Sequence, residues 1–186
     1  MSTKLVLDDA KERFEKTITH LGEQMQTIRT GRASAALIEH VRVDYYGTPT
    51  PIAQMASISI PEPRSIMIKP FDGSIMKELG KALLKADLGC APQEDGKVIR
   101  LSLPPLSGEQ RNKYAAKVKD MGEESRVSLR NSRRDLNKMS DQMEKDGELT
   151  LDENHKLKND IQDLLKVYEK RVDEMIEKKT AEIQDV

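Results

Sequence analysis

Apolar residues recur at every third or fourth position over three long stretches of this chain. In the first stretch, over residues 5–29, they are Leu7, Ala10, Phe14, Ile18, Leu21, Met25 and Ile28. The second stretch begins at Ser107 and ends near Gly147, and the third begins at Thr150. Steps of three and four place apolar side chains on one face of a helix. The sequence therefore predicts three long amphipathic helices.

Residues at the starts of the last two stretches support the helix boundaries. Ser107 and Gln110 have the spacing of a capping box, and so do Thr150 and Glu153. At 1.5 Å per residue, a helix over 107–145 is roughly 58 Å long. A helix of that length with one narrow apolar stripe needs partners along the stripe. Three such helices in one chain predict an antiparallel three-helix bundle.

Serines interrupt the apolar stripe of the second helix. This stripe consists of Tyr114, Val118, Met121, Ser125, Leu129, Ser132, Leu136, Met139 and Met143. The third helix has the stripe Leu157, Ile161, Leu164, Tyr168, Val172, Met175 and Ile183. Because Ser125 and Ser132 stand where leucine is usual, packing beside them is expected to be either close or thin.

The stretch 32–104 has a different pattern, and seven of the eight prolines lie in it, with Pro105 directly after it. Residues 40–45 alternate between apolar and polar, as a half-buried strand does. Residues 58–60 and 66–68 predict paired strands, 98–103 predicts another strand, and 47–51 predicts a turn. Residues 74–86 predict a short amphipathic helix. This stretch is therefore predicted to be a small β/α/β domain.

The predicted fold class is α+β, with the small domain inserted into the bundle. The bundle is then discontinuous, over 1–31 and 105–186, and the inserted domain covers 32–104. Two linkers join them, and hinges are predicted near 30–34 and 103–107. The hinge residues are expected to be Gly31, Ala33, Pro104 and Pro105, because glycine permits backbone rotation and proline restricts it.

Charge changes this picture only when it is followed along the chain. The formal net charge is −1, but residues 111–134 carry eight basic and three acidic side chains. Residues 1–110 are balanced, with 14 of each sign, and residues 135–186 carry nine basic and fifteen acidic side chains. A neutral chain with one basic segment is expected to have a local electrostatic binding surface.

Four arginines lie close together in that basic segment, namely Arg126, Arg130, Arg133 and Arg134. At 100° per residue they share one face of the helix, which the pattern turns away from the apolar stripe. Arginine holds phosphate oxygens with two parallel hydrogen bonds, so this face suits an RNA backbone. The alternative is a solvated face whose arginines pair with acidic neighbours, for which the candidates are Asp120, Glu123, Glu124 and Asp135.

No pattern in the chain indicates catalysis or a cofactor. There is no glycine-rich phosphate loop, the three histidines are scattered, and Cys90 is the only cysteine. Cys90 is expected to be a small packing residue. No apolar run approaches the ~20 residues of a membrane span, and no leader pattern is present. We therefore expect a cytoplasmic, monomeric protein without a metal or nucleotide of its own, and not an enzyme.

Five short motifs follow one another along nearly the whole chain. They are Ile28-Arg29-Thr30-Gly31-Arg32-Ala33-Ser34, Asp44-Tyr45-Tyr46-Gly47-Thr48-Pro49-Thr50-Pro51, Asp87-Leu88-Gly89, Leu103-Pro104-Pro105-Leu106 and Arg130-Asn131-Ser132-Arg133-Arg134-Asp135. Together with the chain length, they resemble the signature of the bacterial ribosome recycling factor family.

The resemblance implies an L-shaped, tRNA-like molecule that binds the large ribosomal subunit of the post-termination ribosome. With elongation factor G, and with GTP hydrolysis by that partner, the family splits the ribosome into subunits and frees it from mRNA. The chain itself would hydrolyse nothing. By the same resemblance, the expected contacts with ribosomal RNA are Arg29, Gly31, Arg32, Arg111, Arg130 and Arg133.

Two other classes of function remain as alternatives. A helical adaptor would expose apolar residues opposite its core stripe and would not bind RNA. A general RNA chaperone would act without elongation factor G. A polysome-breakdown assay with and without elongation factor G separates these classes from a recycling factor.

Overall fold

The computed structural model describes residues 3–185, which form two compact units. One unit contains the chain up to Arg29 together with Glu109–Asp185, and the other is Thr30–Gly108. The three long helices belong to the first unit and every strand belongs to the second.

The first unit is a bundle of helices α1 (Thr3–Gln26), α4 (Gly108–Lys145) and α5 (Leu151–Gln184). Ion pairs show that α4 and α5 run in opposite directions, because early residues of α4 meet late residues of α5, as in the pair Arg126 and Asp173. Helix α1 is parallel to α5, since Phe14 lies beside Tyr168 and, further along both helices, Gly22 lies beside Met175, and α1 is therefore antiparallel to α4. The predicted antiparallel bundle is confirmed.

Buried side chains of the three helices form the bundle core. Phe14 of α1 and Tyr168 of α5 lie with ring centroids 5.4 Å apart. The stripes shift slightly from those predicted, because Val6 is buried more fully than Leu7 and Leu165 more fully than Leu164. Adjacent residues at the edge of a stripe differ by only 100° around the helix axis. Helical spacing alone therefore does not decide which of the two is buried.

The interrupted stripe of α4 packs closely where it contains small residues. Gly122, Ser125 and Ser140 are all buried. A Cβ atom built on Gly122 would lie 2.1 Å from Cδ1 and 2.8 Å from Cγ1 of Ile176 on α5. The side chain of Ile176 therefore fills the space over Gly122, and the packing there is close rather than thin.

Polar groups close the turn between α4 and α5. Gly147 has φ +76, a left-handed conformation that favours glycine at the end of a helix. Thr150 and Glu153 form the predicted capping box at the start of α5. Asn154 is buried and its Oδ1 accepts a hydrogen bond of 2.6 Å from Ser140. Its amide nitrogen donates to Asp141, at 3.0 Å.

The second unit contains a two-stranded and a four-stranded antiparallel sheet. The bounds of its elements are β1 (Arg42–Tyr45), β2 (Thr48–Pro51), α2 (Ile52–Met55), β3 (Ala56–Glu62), β4 (Ser65–Pro70), α3 (Met76–Lys85), β5 (Pro92–Asp95) and β6 (Val98–Ser102). Strand β1 pairs with β2, and the larger sheet has the order β3-β4-β6-β5. Its fold combines strands and one longer helix, as predicted.

A continuous apolar core holds this unit together. Helix α3 contributes Leu79 and Leu83, and the central strands of the larger sheet contribute Ile66, Ile68 and Leu101. The predicted β3–β4 pair is confirmed, with Ile58 opposite Ile68. Strands β2 and β5 were missed because both contain proline. Each is an edge strand, which is where a strand tolerates proline.

Candidate RNA-binding face of the helical bundle

The four clustered arginines of α4 differ in how far they are exposed. Arg126 is the most enclosed in ion pairs, and its side chain is 21% exposed. It pairs with Glu123 on α4 and with Asp173 on α5. The hydrogen bond that Arg126 donates to Asp173 is the main reason that the pKa of Arg126 is raised. Arg126 therefore holds α4 against α5.

Arg133 is half-buried at the same boundary between α4 and α5. Its Nη1 donates to Oε1 of Gln162 on α5, at 2.9 Å. It follows the buried Leu129 by four residues and precedes the buried Leu136 by three. That spacing puts its aliphatic stem beside the core, so that its Nε is buried without a hydrogen-bond partner and only the end of the guanidinium group reaches Gln162. Its role is therefore partly structural.

Arg130 and Arg134 are exposed. The side chain of Arg130 is 49% exposed, and its Nε lies 3.5 Å from Oε1 of Glu169 on α5. Arg134 forms no ion pair within residues 3–185, and it follows Arg130 by one helical turn. Residues four positions apart lie on the same side of a helix. Each of these two exposed guanidinium groups can therefore bind two oxygens of a phosphate group in the same nucleic-acid strand.

The prediction that all four clustered arginines of α4 face away from the bundle core needs correction. Arg126 and Arg133 lie at the edge of the α4–α5 contact, and Arg130 and Arg134 face outwards. The helical-wheel estimate placed the apolar stripe too far from the arginines, because it omitted the buried Gly122 and Ser140 on their side. Three polar partners on α5 were not predicted, and they are Gln162, Glu169 and Asp173. Only the register between the two helices identifies them.

The remaining predicted site residue of α4, Arg111, lies near the end of the bundle where α5 terminates. Its Nη1 donates to the main-chain oxygen of Gln184, at 3.2 Å. At 1.5 Å per residue, Arg111 is about 22 Å along α4 from Arg126. Arg111 is thus well separated from the arginine cluster. Arg29, the last residue of the first unit before the insert, is exposed.

In the second unit, Gly31 and Arg32 belong to the first linker. Gly31 has φ +75, a conformation that strains any residue with a Cβ atom. Arg32 is exposed, and its main-chain N–H donates to Oγ1 of Thr30, at 3.4 Å.

Both linkers are attached to one turn of the insert. The main-chain N–H of Ala33 donates to the oxygen of Pro63 at 2.7 Å, and the N–H of Leu103 donates to the oxygen of Arg64 at 2.8 Å. Pro63 and Arg64 form the turn between β3 and β4. These bonds fix Ala33 and Leu103 to the insert.

Other polar groups have structural roles. Glu15 accepts hydrogen bonds from Arg171 and Tyr168, and these bonds, chiefly the one from Arg171, lower the pKa of its carboxyl group. Cys90 packs against the core of the insert, and burial raises the pKa of its thiol.

No cluster of metal-ligating side chains occurs in the part of the chain that the structure describes. No described helix has the length and apolarity needed to span a membrane.

Fold and site together define an α+β protein in which a long-helix bundle carries exposed arginines suited to an RNA backbone. Comparison with known proteins identifies the family to which a protein of this class belongs. The family model for the ribosome recycling factor matches residues 21–183. The chain is 43% identical over 183 residues to the ribosome-recycling factor of Desulfosudis oleivorans, covering 98% of this chain and 99% of that protein. The chain belongs to the ribosome recycling factor family.

Solved structures of this family resemble the whole chain. A solution structure of the ribosome recycling factor is 31% identical and has a TM-score of 0.76, covering 100% of this chain and 99% of that one. A second match, also 31% identical with a TM-score of 0.65, covers 98% of this chain and 99% of the other. It comes from models for the T. thermophilus ribosome recycling factor and E. coli elongation factor G bound to the E. coli post-termination complex.

Proposed function

We propose that this chain recycles ribosomes after termination. It binds the large subunit of the post-termination ribosome through ribosomal RNA. With elongation factor G it then splits the ribosome into subunits and releases it from mRNA. The observation that carries this proposal is the family match along nearly the whole chain. The related T. thermophilus factor, described with elongation factor G on a post-termination complex, supports the choice of partners.

The exposed arginines of α4 supply the RNA contact in this proposal. Arg130 and Arg134 are free to turn towards phosphate groups, and Arg130 exchanges a long contact with Glu169 for a phosphate. Arg126 contributes mainly by holding α4 to α5, and Arg133 contributes in both ways. Arg29, Arg32 and Arg111 are further contacts. Such contacts provide affinity and orientation rather than sequence readout.

The energy for splitting the ribosome comes from elongation factor G. Elongation factor G binds and hydrolyses the GTP, and this chain acts as a non-enzymatic factor without a cofactor. It acts as a monomer in the cytoplasm, where the ribosomes are. The three apolar stripes of the bundle satisfy one another within one chain, which supports the monomeric state.

Motion of the insert relative to the bundle is part of the proposal. Ala33 and Leu103 are hydrogen-bonded to the β3–β4 turn, so they move with the insert. The first hinge segment is therefore narrower than the sequence indicates, at 30–32, and the second is shifted by one residue, to 104–108. Gly31, with φ +75, provides the freedom in the first linker. Pro104 and Pro105 limit the directions available in the second.

Ribosome splitting, followed by light scattering, tests the function. Post-termination ribosomes are mixed with elongation factor G and GTP, with and without this protein, and the wild type is expected to accelerate subunit separation. The double variant Arg130→Ala/Arg134→Ala is expected to bind the large subunit more weakly and to reduce the salt slope of binding by about two, roughly one per contact. Lys16→Ala, which removes an exposed cation from α1, is the matched control.

Two results would contradict the proposal. Subunit separation that is equally fast without the wild-type protein would exclude recycling. Equal salt slopes for the double variant and the wild type would exclude the assigned RNA contacts while leaving the function in place.

A further inference from the structure

The turn between β1 and β2 has an unusual residue in a left-handed conformation. Tyr45 lies opposite Thr48, so the loop contains only Tyr46 and Gly47. Their φ angles are +50 and +85. A two-residue hairpin loop with both φ angles positive is normally Asn-Gly, Asp-Gly or Gly-Gly, because these residues accept that conformation readily. Here its first position is a tyrosine.

Tyrosine at this position is disfavoured by the backbone, and burial in the core does not offset that cost. Asp87 is the other non-glycine residue with positive φ in the described part of the chain, and aspartate tolerates that region. Tyr46 is bulky, and it is 82% exposed, so its ring does not contribute to the core. Strain at an exposed side chain points to a requirement outside the folded chain.

The local structure holds the ring of Tyr46 in place. The ring of Tyr45 lies edge-on to it, with centroids 4.6 Å apart and planes at 75°. Asp44 accepts a hydrogen bond of 2.8 Å from the N–H of Gly47 and stabilises the turn. Val43 is fully buried and anchors β1 in the core of the insert. A rigid, exposed aromatic side chain loses little entropy when it becomes buried in a complex.

The charge of the β1–β2 hairpin indicates which kind of molecule binds its tip, the turn formed by Tyr46 and Gly47. Residues 42–51 contain one basic side chain, Arg42, and one acidic side chain, Asp44, so the hairpin is neutral. A surface that binds an RNA backbone needs several cations, which this tip lacks. Exposed tyrosine in a neutral setting is typical of the central residue of a protein–protein contact.

We propose that the β1–β2 tip is a protein-docking anchor, in which the ring of Tyr46 enters an apolar pocket of the partner. This inference rests on the proposed function, from which it takes elongation factor G as the protein that joins the ribosome-bound chain. The strained turn keeps the ring projecting from the hairpin, and Tyr45 supports it from the side. The docking site is separate from the arginine face, which binds RNA.

Three variants separate docking from stability. Tyr46→Asn accepts the left-handed conformation, so the melting temperature is expected to rise by about 2–4 °C. Tyr46→Phe keeps the ring and is expected to retain docking. Phe71→Ala removes another exposed aromatic ring of the same unit, one that directly follows β4 and lies outside the β1–β2 hairpin, and serves as the control.

Binding of each variant is measured on two probes. The first is the post-termination ribosome alone, and the second is the same ribosome with elongation factor G and a non-hydrolysable GTP analogue. Tyr46→Asn is expected to bind the first probe like the wild type and the second at least tenfold more weakly, which corresponds to about 1.4 kcal/mol. Tyr46→Phe and Phe71→Ala are expected to match the wild type on both.

Two outcomes overturn the proposal. Equal affinity of Tyr46→Asn and wild type for the second probe would show that the tip does not dock. An equal loss on both probes would show that the ligand belongs to the ribosome itself, such as an unpaired RNA base that stacks on the ring. Failure of the wild type itself to split ribosomes would refute the proposed function, and binding of Tyr46→Asn to elongation factor G on the ribosome would still decide the docking question.

Discussion

Replacing Gly122 by alanine tests how closely α4 packs against α5. Gly122 lies in the interior of α4, where glycine is less favourable than alanine by about 1 kcal/mol. On helix propensity alone, Gly122→Ala would stabilise the protein. The added Cβ, however, would lie 2.1 Å from Cδ1 and 2.8 Å from Cγ1 of Ile176. Both distances require the isoleucine side chain or the helix to move.

The two effects have opposite signs, and their sizes decide the result. Inserting a methyl group into a well-packed contact costs about 1–3 kcal/mol. After the gain of about 1 kcal/mol in propensity, Gly122→Ala is expected to destabilise the bundle by about 1 kcal/mol. In an Ile176→Ala background the clash is absent, so the same substitution is expected to stabilise by about 1 kcal/mol. The coupling energy is then about 2 kcal/mol.

Urea unfolding followed by helical circular dichroism measures these differences. Gly22→Ala is the matched control, because it also lies inside a long helix but its new Cβ would be 3.7 Å from Cε of Met175, an ordinary contact. Gly22→Ala is expected to stabilise the protein. The reasoning is refuted if Gly122→Ala stabilises as much as Gly22→Ala, or if the Ile176→Ala background leaves the sign unchanged.

Three further predictions concern the site, the hinge and pH. Arg133→Ala is expected to weaken large-subunit binding, lower the salt slope by about one and destabilise the bundle by about 1 kcal/mol, since the bond to Gln162 is lost; an unchanged slope in binding titrations would contradict this. Gly31→Val is expected to slow splitting more than it weakens binding, because valine disfavours φ +75; equal effects in the light-scattering and binding assays would contradict it. Hydrogen bonds from Lys158 and then Asn154 lower the pKa of Asp141, so its stabilising effect is present above the ordinary aspartate pKa and is lost as pH falls towards the lowered value; urea unfolding of Asp141→Asn is expected to show a smaller loss of stability on acidification than the wild type.

Local patterns in the sequence were enough for the helices and for the overall class of fold. The capping box at Thr150 was predicted because it depends on two residues three positions apart. Strand β2 was missed because Pro49 and Pro51 indicate a turn, although they are accepted in an edge strand. Whether a proline-containing segment is an edge strand depends on which strands pair, and that information is not local.

For the candidate site, too, some features follow from the sequence alone and others only from the tertiary structure. The sequence determined that four arginines lie close together on one helix, because helical geometry relates positions within a single element. Only the tertiary structure decided that Arg126 is enclosed by an acid of α5 while Arg134 faces outwards, since that depends on the register between two helices, which brings together residues 47 positions apart in the chain. Likewise, glycine and the preceding tyrosine were visible as a motif, but the strain at Tyr46 appears only once strand pairing fixes the length of the loop. Sequence fixes interactions within an element, whereas contacts between elements follow from how all the side chains of the core pack together.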